Sequence, residues 1–484
     1  MLRGPTLHTG NRPMEEQVRL RSLLTCAVTL ALTGATLGTA PTTYAATVQA
    51  LSTITADDPK DSTGPVISPS LVSEINAKSS VRSIIQLKPG QSVRDVAMDI
   101  EQASKGSRVL EAAKSPNFFV AEVDVPTLNT LKKDKRVQAV YEDQLSVPFR
   151  DGGARLISSE EAHQAGYTGT GTTIAVLDTG IDRDHPYFAG RIVDEACFSS
   201  SDASDRTVSL CPNNQPSQTG PGSADAETPQ CISNGSNLCF HGSHVAGIAA
   251  GRTTTGAPPD GAAPGARILA IQVFNRADDP ATCGGRAPCL RSYTSDQKLA
   301  LEYVMRMVKA HNIAAVNLSL GSGGPFTEAC DENARAAALK QEFDALLAQR
   351  VASVVAAGNN GFENGVSTPA CISTAVTVGA TDGSDALASF SNRGPLLDLL
   401  APGQNIRSAV PDDAYANVSG TSMAAPNVAG AFALMRQAFP DYTVEQSLQR
   451  LQDTGAKISY RSGGQQVTAA QVDVARATSA ESQA

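Results

Sequence analysis

Short, continuous runs of apolar residues recur after about residue 150, and they constrain the fold more than any other feature of the chain. The runs are TIAVLD, ARILAIQVF, AAVNLSLG, ASVVAAGN and AVTVGA, with helical segments between most of them. Apolar residues that do not alternate with polar ones are typical of strands buried on both faces of a parallel sheet covered by helices. The helix before AAVNLSLG is well marked, because its apolar residues share one face and Thr294 with Gln297 predicts a capping box. The sequence therefore predicts an α/β domain over residues 150–484.

Residues 81–147 have a different pattern, in which apolar and polar residues alternate over short segments. The segments VRSIIQLKPG, NFFVAEVDVP and RVQAVYED are typical of strands, and VRDVAMDIEQAS and TLNTLKKD of helices. This order predicts a small α+β domain with apolar faces of its own. Residues 47–80, which are rich in Ser, Thr, Pro and Asp, are predicted to be a linker.

The first 46 residues are typical of an export signal. Arg19 and Arg21 precede the apolar run LLTCAVTLAL, and small residues with TTYAA follow, which predicts cleavage near Ala45 or Ala46. Met14 is an alternative start, since the residues before it add nothing that a signal needs. The apolar run is too short to cross about 30 Å of hydrocarbon, which argues against a membrane anchor. We therefore expect a secreted protein, which is extracellular, or periplasmic if the source has an outer membrane.

Cysteine usage agrees with export. Cys26 lies in the predicted signal, and eight cysteines remain, at positions Cys197, Cys211, Cys231, Cys239, Cys283, Cys289, Cys330 and Cys371. An even number without a CxxC pair indicates disulfides rather than a zinc site. Eight cysteines allow roughly a hundred pairings, but short separations favour Cys231–Cys239 and Cys283–Cys289, with Cys330–Cys371 as a longer candidate. The formal net charge of −9, without a long basic run, argues against nucleic acid as a partner.

Four polar residues occur where an α/β sheet would form a site. Asp178 ends TIAVLD, Asn359 ends VVAAGN, His241 begins the helical segment HGSHVAG, and Ser422 follows the turn VSGT. The carboxyl ends of parallel strands and the starts of helices lie at the same edge of such a sheet. Together these residues suffice for acyl transfer, with a serine nucleophile, an imidazole base, a carboxylate that orients the base, and an amide donor for the oxyanion.

Each of these residues also has a structural interpretation. Asp178 and Asn359 could form ordinary turns, and Ser422 could be a common residue at a helix start. His241 and His244 lie three apart and could share a metal ion on one helix face. However, the chain has no HExxH motif and only six histidines, which leaves few further ligands. We therefore expect His241 to be the base and His244 to be a structural neighbour.

Four sequence blocks resemble the signature motifs of the subtilisin-like serine proteases, the subtilases of peptidase family S8. The blocks are DTGI from residue 178, HGSHVAG from 241, AAGN from 356 and GTSMAAP from 420. Their order, Asp then His then Ser, is that of this family rather than of chymotrypsin or the α/β-hydrolases. An esterase or lipase is therefore disfavoured, and a protein that keeps the fold without the chemistry is disfavoured by the full residue set. The resemblance covers roughly residues 155–475 and implies a serine endopeptidase that forms an acyl-enzyme.

The resemblance also implies binding residues and cofactors. The segment NLSLGSGG would line the primary substrate pocket and pair with the substrate backbone. The implied residues are Ser319, Leu320 and Gly321, facing Ala356, Ala357 and Gly358. The chemistry would need no cofactor. Calcium ions are common structural ligands in the family, but no metal-binding loop can be assigned from this sequence.

Residues 81–147 resemble, less specifically, the inhibitory propeptide of subtilases, which has a ferredoxin-like α+β fold of the inhibitor I9 type. This implies a self-processing zymogen whose propeptide is an intramolecular inhibitor and a folding template. We expect its tail, residues 145–149, to lie in the active-site cleft beside NLSLGSGG, with cleavage between residues 147 and 155. The mature enzyme is expected to be a monomer that cleaves polypeptides, without stable membrane association.

Two departures from the family pattern are evident. Asp178 and His241 are separated by 63 residues, more than in compact subtilases, and the extra length holds four cysteines. We therefore expect a disulfide-pinned surface insertion at about residues 197–239. The histidine block reads HGSH where HGTH is commoner, a mild exchange of hydroxyl residues.

Overall fold

A computed structural model describes residues 64–104, 106–111, 115–148, 157 and 159–479. The predicted signal peptide and most of the predicted cleavage region, residues 149–156, lie outside these residues. No helix within the described ranges is both long enough and apolar enough to cross a membrane.

The N-terminal part is a small α+β domain with a five-stranded sheet. Its elements are β1 (Val66–Ile67), α1 (Pro69–Ala77), β2 (Val81–Leu87), α2 (Val93–Ala103), β3 (Arg108–Glu111), β4 (Phe118–Val123), α3 (Val125–Leu131) and β5 (Val137–Glu142). The strand order is β1-β5-β2-β4-β3, antiparallel except for the pair of β1 with β5. The three strands and two helices predicted from the sequence are present, and β3 is an additional strand.

The predicted linker over residues 47–80 is wrong for its last part, because β1 and α1 belong to the small domain. Ser68 caps α1 by accepting a hydrogen bond from the Leu71 backbone, and Pro69 begins the helix. Leu71, Val72 and Ile75 are buried in the core of the domain. Polar composition suggested a linker, but three apolar residues on one face are sufficient to dock a short helix.

The rest of the chain forms the predicted α/β domain. Its elements up to residue 311 are α4 (Ser159–Gln164), β7 (Thr173–Asp178), β8 (Ile192–Phe198), β9 (Thr207–Ser209), β10 (Ser217–Thr219), β11 (Ile232–Ser233), β12 (Ser236–Asn237), α5 (Phe240–Ala250), β13 (Arg267–Gln272), β14 (Asn275–Ala277), β15 (Cys289–Tyr293) and α6 (Thr294–His311), and β6 (Leu145–Pro148) precedes them. The elements that follow are β16 (Ile313–Leu318), β17 (Leu320–Phe326), α7 (Ala334–Ala348), β18 (Ala352–Ala356), β19 (Val366–Thr368), β20 (Ala375–Thr381), β21 (Leu399–Pro402), β22 (Ile406–Val410), β23 (Ala414–Val418), α8 (Thr421–Ala438), α9 (Val444–Thr454), β24 (Ala456–Ser462), β25 (Gln465–Gln471) and α10 (Val474–Thr478).

The main sheet has ten strands in the order β10-β8-β13-β7-β16-β18-β20-β21-β25-β24. The five apolar runs are its five central neighbours, β13, β7, β16, β18 and β20, all parallel. Successive residues of β7 enter different cores: Ile174 and Val176 pack on the side of α5 and α8, whereas Ala175 and Leu177 pack on the side of α6 and α7. Burial on both faces explains the continuous apolar runs, and the predicted fold class is confirmed.

The strand β6, which follows the small domain, lies between two strands of the α/β domain. The order of this six-stranded sheet is β19-β17-β6-β15-β14-β9, and β6 is antiparallel to both of its neighbours. The paired residues are Leu145 with Tyr293, Ser146 with Ser292, Val147 with Gly321, and Pro148 with Leu320.

The helix α6 begins where predicted but is capped differently. Thr294 and Gln297 do not form a capping box; the Thr294 hydroxyl donates to the Gln144 carbonyl oxygen, and the Gln297 amide donates to Ser292. The cap comes from the small domain, whose Asp143 carboxylate accepts from the Ser295 backbone and hydroxyl, at 2.9 and 2.6 Å. A cap supplied from more than a hundred residues away leaves no local sequence signal.

Four disulfides connect the eight cysteines, and three of the pairs are those that the sequence favours. The pairs are Cys197–Cys211, Cys231–Cys239, Cys283–Cys289 and Cys330–Cys371. Two of them lie in the predicted insertion, and Cys239 directly precedes the helix α5 that carries His241.

Candidate active site

Asp178 and His241 come together at the carboxyl end of the main sheet. Asp178 is the last residue of β7, and His241 is the second residue of α5. The distance between His241 Nδ1 and Asp178 Oδ1 is 2.7 Å, and the side chains are 0% and 1% exposed. The same carboxylate oxygen accepts from the Thr179 backbone at 2.8 Å. Burial of both groups makes this a strong, directional contact that holds the imidazole ring in one orientation.

Small residues allow α5 to start this close to the end of β7. A Cβ at Gly242 would collide with the carbonyl group of Gly180. The Gly242 backbone donates to the Thr179 hydroxyl at 2.8 Å, and that hydroxyl donates to the Cys239 carbonyl oxygen at 2.7 Å. The DTG and HG blocks are therefore packed directly on each other. Thr179 lies inside the DTGI block, but its role in joining the two blocks depends on contacts that the sequence does not show.

His244 has a different environment from His241. Its Nε2 lies 3.0 Å from two carbonyl oxygens, of Ile406 in β22 and Ala416 in β23. Burial lowers the pKa of His244 to about 3, so the ring is neutral and its Nε2 carries the donated proton. This histidine links α5 to the hairpin of β22 and β23.

Ser422 lies in the first turn of α8 and exchanges two hydrogen bonds with Ser319. Ser422 Oγ donates to the Ser319 carbonyl oxygen at 3.0 Å, and Ser319 Oγ donates to the Ser422 carbonyl oxygen at 2.9 Å. The second bond is available because Pro426, one helical turn later, has no N–H to donate to that carbonyl. Asn317 in turn donates from its amide to Ser319 Oγ at 2.9 Å.

The Asn359 side chain follows β18 and is held at its oxygen end. Its Oδ1 accepts from the backbone and the hydroxyl of Thr421, at 2.9 and 2.8 Å. Thr421 Oγ1 also accepts from the Gly358 backbone at 3.1 Å. The Nδ2 of Asn359 is buried and has no hydrogen-bond partner among the described residues. Thr421 therefore fixes which end of the amide remains as a donor, a role that the sequence did not reveal.

The six residues expected to bind substrate lie beside this site. Leu320 and Gly321 begin β17, where they pair with β6, and Ser319 immediately precedes them. Ala356 ends β18, and Ala357 and Gly358 follow it; all three are buried. Gly358 has a φ of +108°, and a Cβ there would collide with Asn392 and Ser367. The structure thus brings both segments next to Ser422 through Ser319 and Thr421.

An acidic group lies farther along the loop that follows β7. Carboxylate oxygens of Asp182, Asp184 and Glu227 come within 4.8 Å of one another, and neither His241 nor His244 belongs to this group. Asp182 is buried and accepts from the backbones of His185 and Asp413. Burial raises the pKa of Asp182 to about 7, with a further contribution from the negative charge of Glu227.

Comparison with known proteins identifies the family. A model of the Subtilase family (Peptidase_S8) matches residues 169–473. Subtilisin E of Bacillus subtilis (strain 168) is 32% identical over 362 residues, which cover 73% of this chain and 79% of the relative. An alkaline protease of Shouchella clausii is 32% identical over 352 residues, which cover 72% of this chain and 74% of the relative. Subtilisin BL of Lederbergia lenta is 33% identical over 314 residues, which cover 65% of this chain and 93% of the relative. These matches confirm the resemblance seen in the sequence blocks, and the chain belongs to the subtilase family of serine endopeptidases.

Proposed function

We propose that this protein is a secreted endopeptidase in which Ser422 is the nucleophile, His241 the general base and Asp178 the residue that orients the base. The observation that supports this most directly is the buried contact of 2.7 Å between His241 Nδ1 and Asp178 Oδ1. The helix of His241 packs against the helix of Ser422, and each of the two residues is the second residue of its helix. Polypeptides are the substrates of this family, and the proposed chemistry uses side chains alone.

In the proposed mechanism, His241 Nδ1–H donates a hydrogen bond to the Asp178 carboxylate and keeps its proton, which leaves Nε2 as the basic nitrogen. When substrate binds, Ser422 Oγ exchanges its bond to the Ser319 carbonyl for one to this nitrogen. Oγ then attacks the peptide carbonyl carbon while its proton passes to Nε2. The C–N bond breaks, the leaving amine takes that proton, and water hydrolyses the acyl-enzyme in the reverse sequence of proton transfers.

Asn359 is the proposed donor to the oxyanion of the tetrahedral intermediate. Its Nδ2 is a buried donor without a partner among the described residues, which is unfavourable in the resting protein. A negatively charged oxygen would satisfy it, and only the transition state and the intermediate carry that charge. Because Thr421 already holds Oδ1, the amide needs no reorientation during the reaction.

We also propose that the chain is made as a zymogen, with a signal over residues 1–46 and an inhibitory propeptide that ends before about residue 150. The support is the position of β6, which fills the gap between β15 and β17 as an added strand, as an extended substrate would. Contacts of the small domain extend this interface: Asp143 caps α6, and Arg82 pairs with Asp202 at 3.3 Å. The mature part, residues 150–484, would then be a monomer inhibited by its own propeptide until that domain is degraded.

A fluorophosphonate probe tests the catalytic assignment, since it reacts only with an activated serine. We expect stoichiometric labelling at Ser422 in the processed wild-type protein and none in Ser422→Ala. The same substitution should lower kcat by about 10⁶. If the probe does not label the processed, folded wild-type protein, the chain has the fold without the chemistry. If Ser422→Ala retains more than about one per cent of the activity, the nucleophile is a different residue.

A further inference from the structure

A cation of the small domain is seated on the disulfide-pinned insertion of the α/β domain. The Arg82 guanidinium lies over the Tyr293 ring, 4.1 Å from its centroid, and its Nη1 is 3.3 Å from Asp202 Oδ2. The Tyr293 hydroxyl donates to Asp205 Oδ2 at 2.7 Å. The Arg82 side chain is only 7% exposed. An aromatic face and nearby carboxylates both attract a guanidinium group, so these three residues form a site for that group.

The parts of this site that belong to the α/β domain hold one another in place. Asp202 and Thr207 exchange backbone hydrogen bonds of 3.1 and 2.9 Å, and the Thr207 hydroxyl lies 3.2 Å from the Tyr293 hydroxyl. The disulfide Cys197–Cys211 closes the loop that contains Asp202 and Thr207. None of these contacts involves the small domain. We therefore expect the site to keep its shape when the small domain is degraded.

Loss of the small domain would leave this site with negative charge and without its cation. Although burial alone would raise the pKa of Asp202, hydrogen bonds from the Ser204 backbone and hydroxyl hold it below the usual value, so this carboxylate is ionised. Among the described residues, Arg82 is the salt-bridge partner of Asp202. Asp205 adds a second carboxylate, and the negative charge of Asp296, in the first turn of α6, also acts on Arg82. A vacated site of this charge favours another cation.

The site lies beside the strand position that a bound substrate would take. Leu145 of β6 pairs with Tyr293, and paired side chains lie on the same face of a ladder with their Cβ atoms about 5 Å apart. The long side chain of an arginine at this position can place its guanidinium over the Tyr293 ring. The positions of residues 146–148 lie between it and Ser319, which is hydrogen-bonded to Ser422. Such an arginine would therefore have at least three residues between itself and the bond that is cut.

We propose that the mature enzyme uses Tyr293, Asp202 and Asp205 to bind an arginine of its polypeptide substrates, at the position that pairs with Tyr293; this inference rests on the proposed function. In the zymogen Arg82 fills the site, which leaves Leu145 at that position of the tail. Arginine fits better than lysine, because a planar guanidinium can stack on the ring while its N–H groups donate to the carboxylates. The site selects among substrates and takes no part in the chemical step.

The test begins with processed wild-type enzyme and a mixture of peptides of known sequence, whose cut sites are read by mass spectrometry. We expect arginine to be enriched at one fixed position on the amino-terminal side of the cut, with at least three residues between them. Matched fluorogenic peptides with Arg, Lys or Gln at that position then measure the preference. We expect kcat/KM to be about tenfold higher for Arg than for Gln, with Lys within about threefold of Gln.

The outcomes separate this inference from the proposed function. Equal kcat/KM values for the Arg and Gln peptides would overturn the inference and leave a working protease. A Lys peptide cleaved as well as the Arg peptide would overturn the assignment of a guanidinium site. If the processed enzyme cleaves no peptide at all, the proposed function is wrong and the inference is wrong with it.

Substitutions that remove one charge each assign the preference to these residues. Asp202→Asn and Asp205→Asn should each lower the Arg-to-Gln ratio of kcat/KM to about threefold or less, with active enzyme counted by fluorophosphonate labelling. The matched control is Asp278→Asn, which removes the same charge from an exposed pair with Arg276; the Asp278 side chain is 42% exposed. This variant should keep the tenfold ratio of about the wild-type enzyme. If Asp202→Asn does not fold, Asp205→Asn decides alone. An unchanged ratio in the folded site variants, or an equal loss in the control, would overturn the inference.

Discussion

Asp143 provides the sharpest test of how the small domain holds the α/β domain, because its buried carboxylate makes three contacts and two of them cross the interface. It accepts from the Ser295 backbone at 2.9 Å, from the Ser295 hydroxyl at 2.6 Å, and from Arg82 Nε at 2.7 Å. The side chains of Asp143 and Arg82 are 0% and 7% exposed. The substitution Asp143→Ala removes all three contacts and leaves the start of α6 without its cap.

The expected loss of binding follows from which contacts cross the interface. The bond to Arg82 lies within the small domain, so its loss affects mainly the folding of that domain. The two hydrogen bonds to Ser295 cross to the α/β domain, and each has a charged acceptor. A hydrogen bond of this kind contributes at least about 1.5 kcal/mol to the free energy of association. Their sum of about 3 kcal/mol corresponds to an inhibition constant about 10²-fold weaker.

The assay is inhibition of the mature wild-type enzyme by a separate fragment of residues 64–148, measured with a chromogenic peptide. The matched control is Asp99→Ala, which breaks an exposed pair with Arg136 in the same domain; the Asp99 side chain is 58% exposed. Surface pairs contribute about 0–1 kcal/mol, so this variant should inhibit within about fivefold of the wild-type fragment. Circular dichroism checks that each fragment is folded. A folded Asp143→Ala fragment that inhibits as well as wild type would refute the interface argument.

Four further predictions follow from the site. Asn359→Ala should lower kcat by about 10²–10³ with nearly unchanged KM in steady-state assays, because its amide meets charge only in the transition state; a raised KM at normal kcat would make it a substrate-binding residue. His241→Ala should abolish turnover, whereas His244→Ala should lower mainly the melting temperature, and the reverse result would exchange their roles. The 64–148 fragment with Ser146→Ala should have an inhibition constant for the mature enzyme about tenfold lower than the wild-type fragment, since the buried Ser146 hydroxyl has no hydrogen-bond partner among the described residues. A higher inhibition constant would show that this hydroxyl makes a hydrogen bond in the complex. The raised pKa of Asp182 means that its ionisation costs stability as pH rises from about 4 to about 7. Asp182→Asn should therefore reduce the fall in melting temperature between pH 5 and pH 8 in the Ser422→Ala chain, and an unchanged pH slope would contradict the assigned pKa.

The sequence alone determined the class of fold and the residue types of the site, because both depend on local patterns. The five apolar runs indicated burial on both faces, as in a parallel sheet covered by helices, and they are five neighbouring central strands of the main sheet. Glycines in the DTG and HG blocks are required by close contacts between the blocks themselves, such as that of Gly242 with Gly180. A motif of this kind is readable because the chemistry and the packing constrain the same few neighbouring residues.

The tertiary structure decided what depends on partners far away in the chain. Thr421 determines which end of the Asn359 amide is a donor, although the two are 62 residues apart. Asp143 replaces the predicted capping box of α6, and α1 docks on the small domain in a segment whose composition suggested a linker. The register of β6 likewise follows from two separate strands rather than from its own four residues. Hydrogen bonds and buried contacts depend on distance in space, and only the folded chain sets those distances for residues so far apart in sequence.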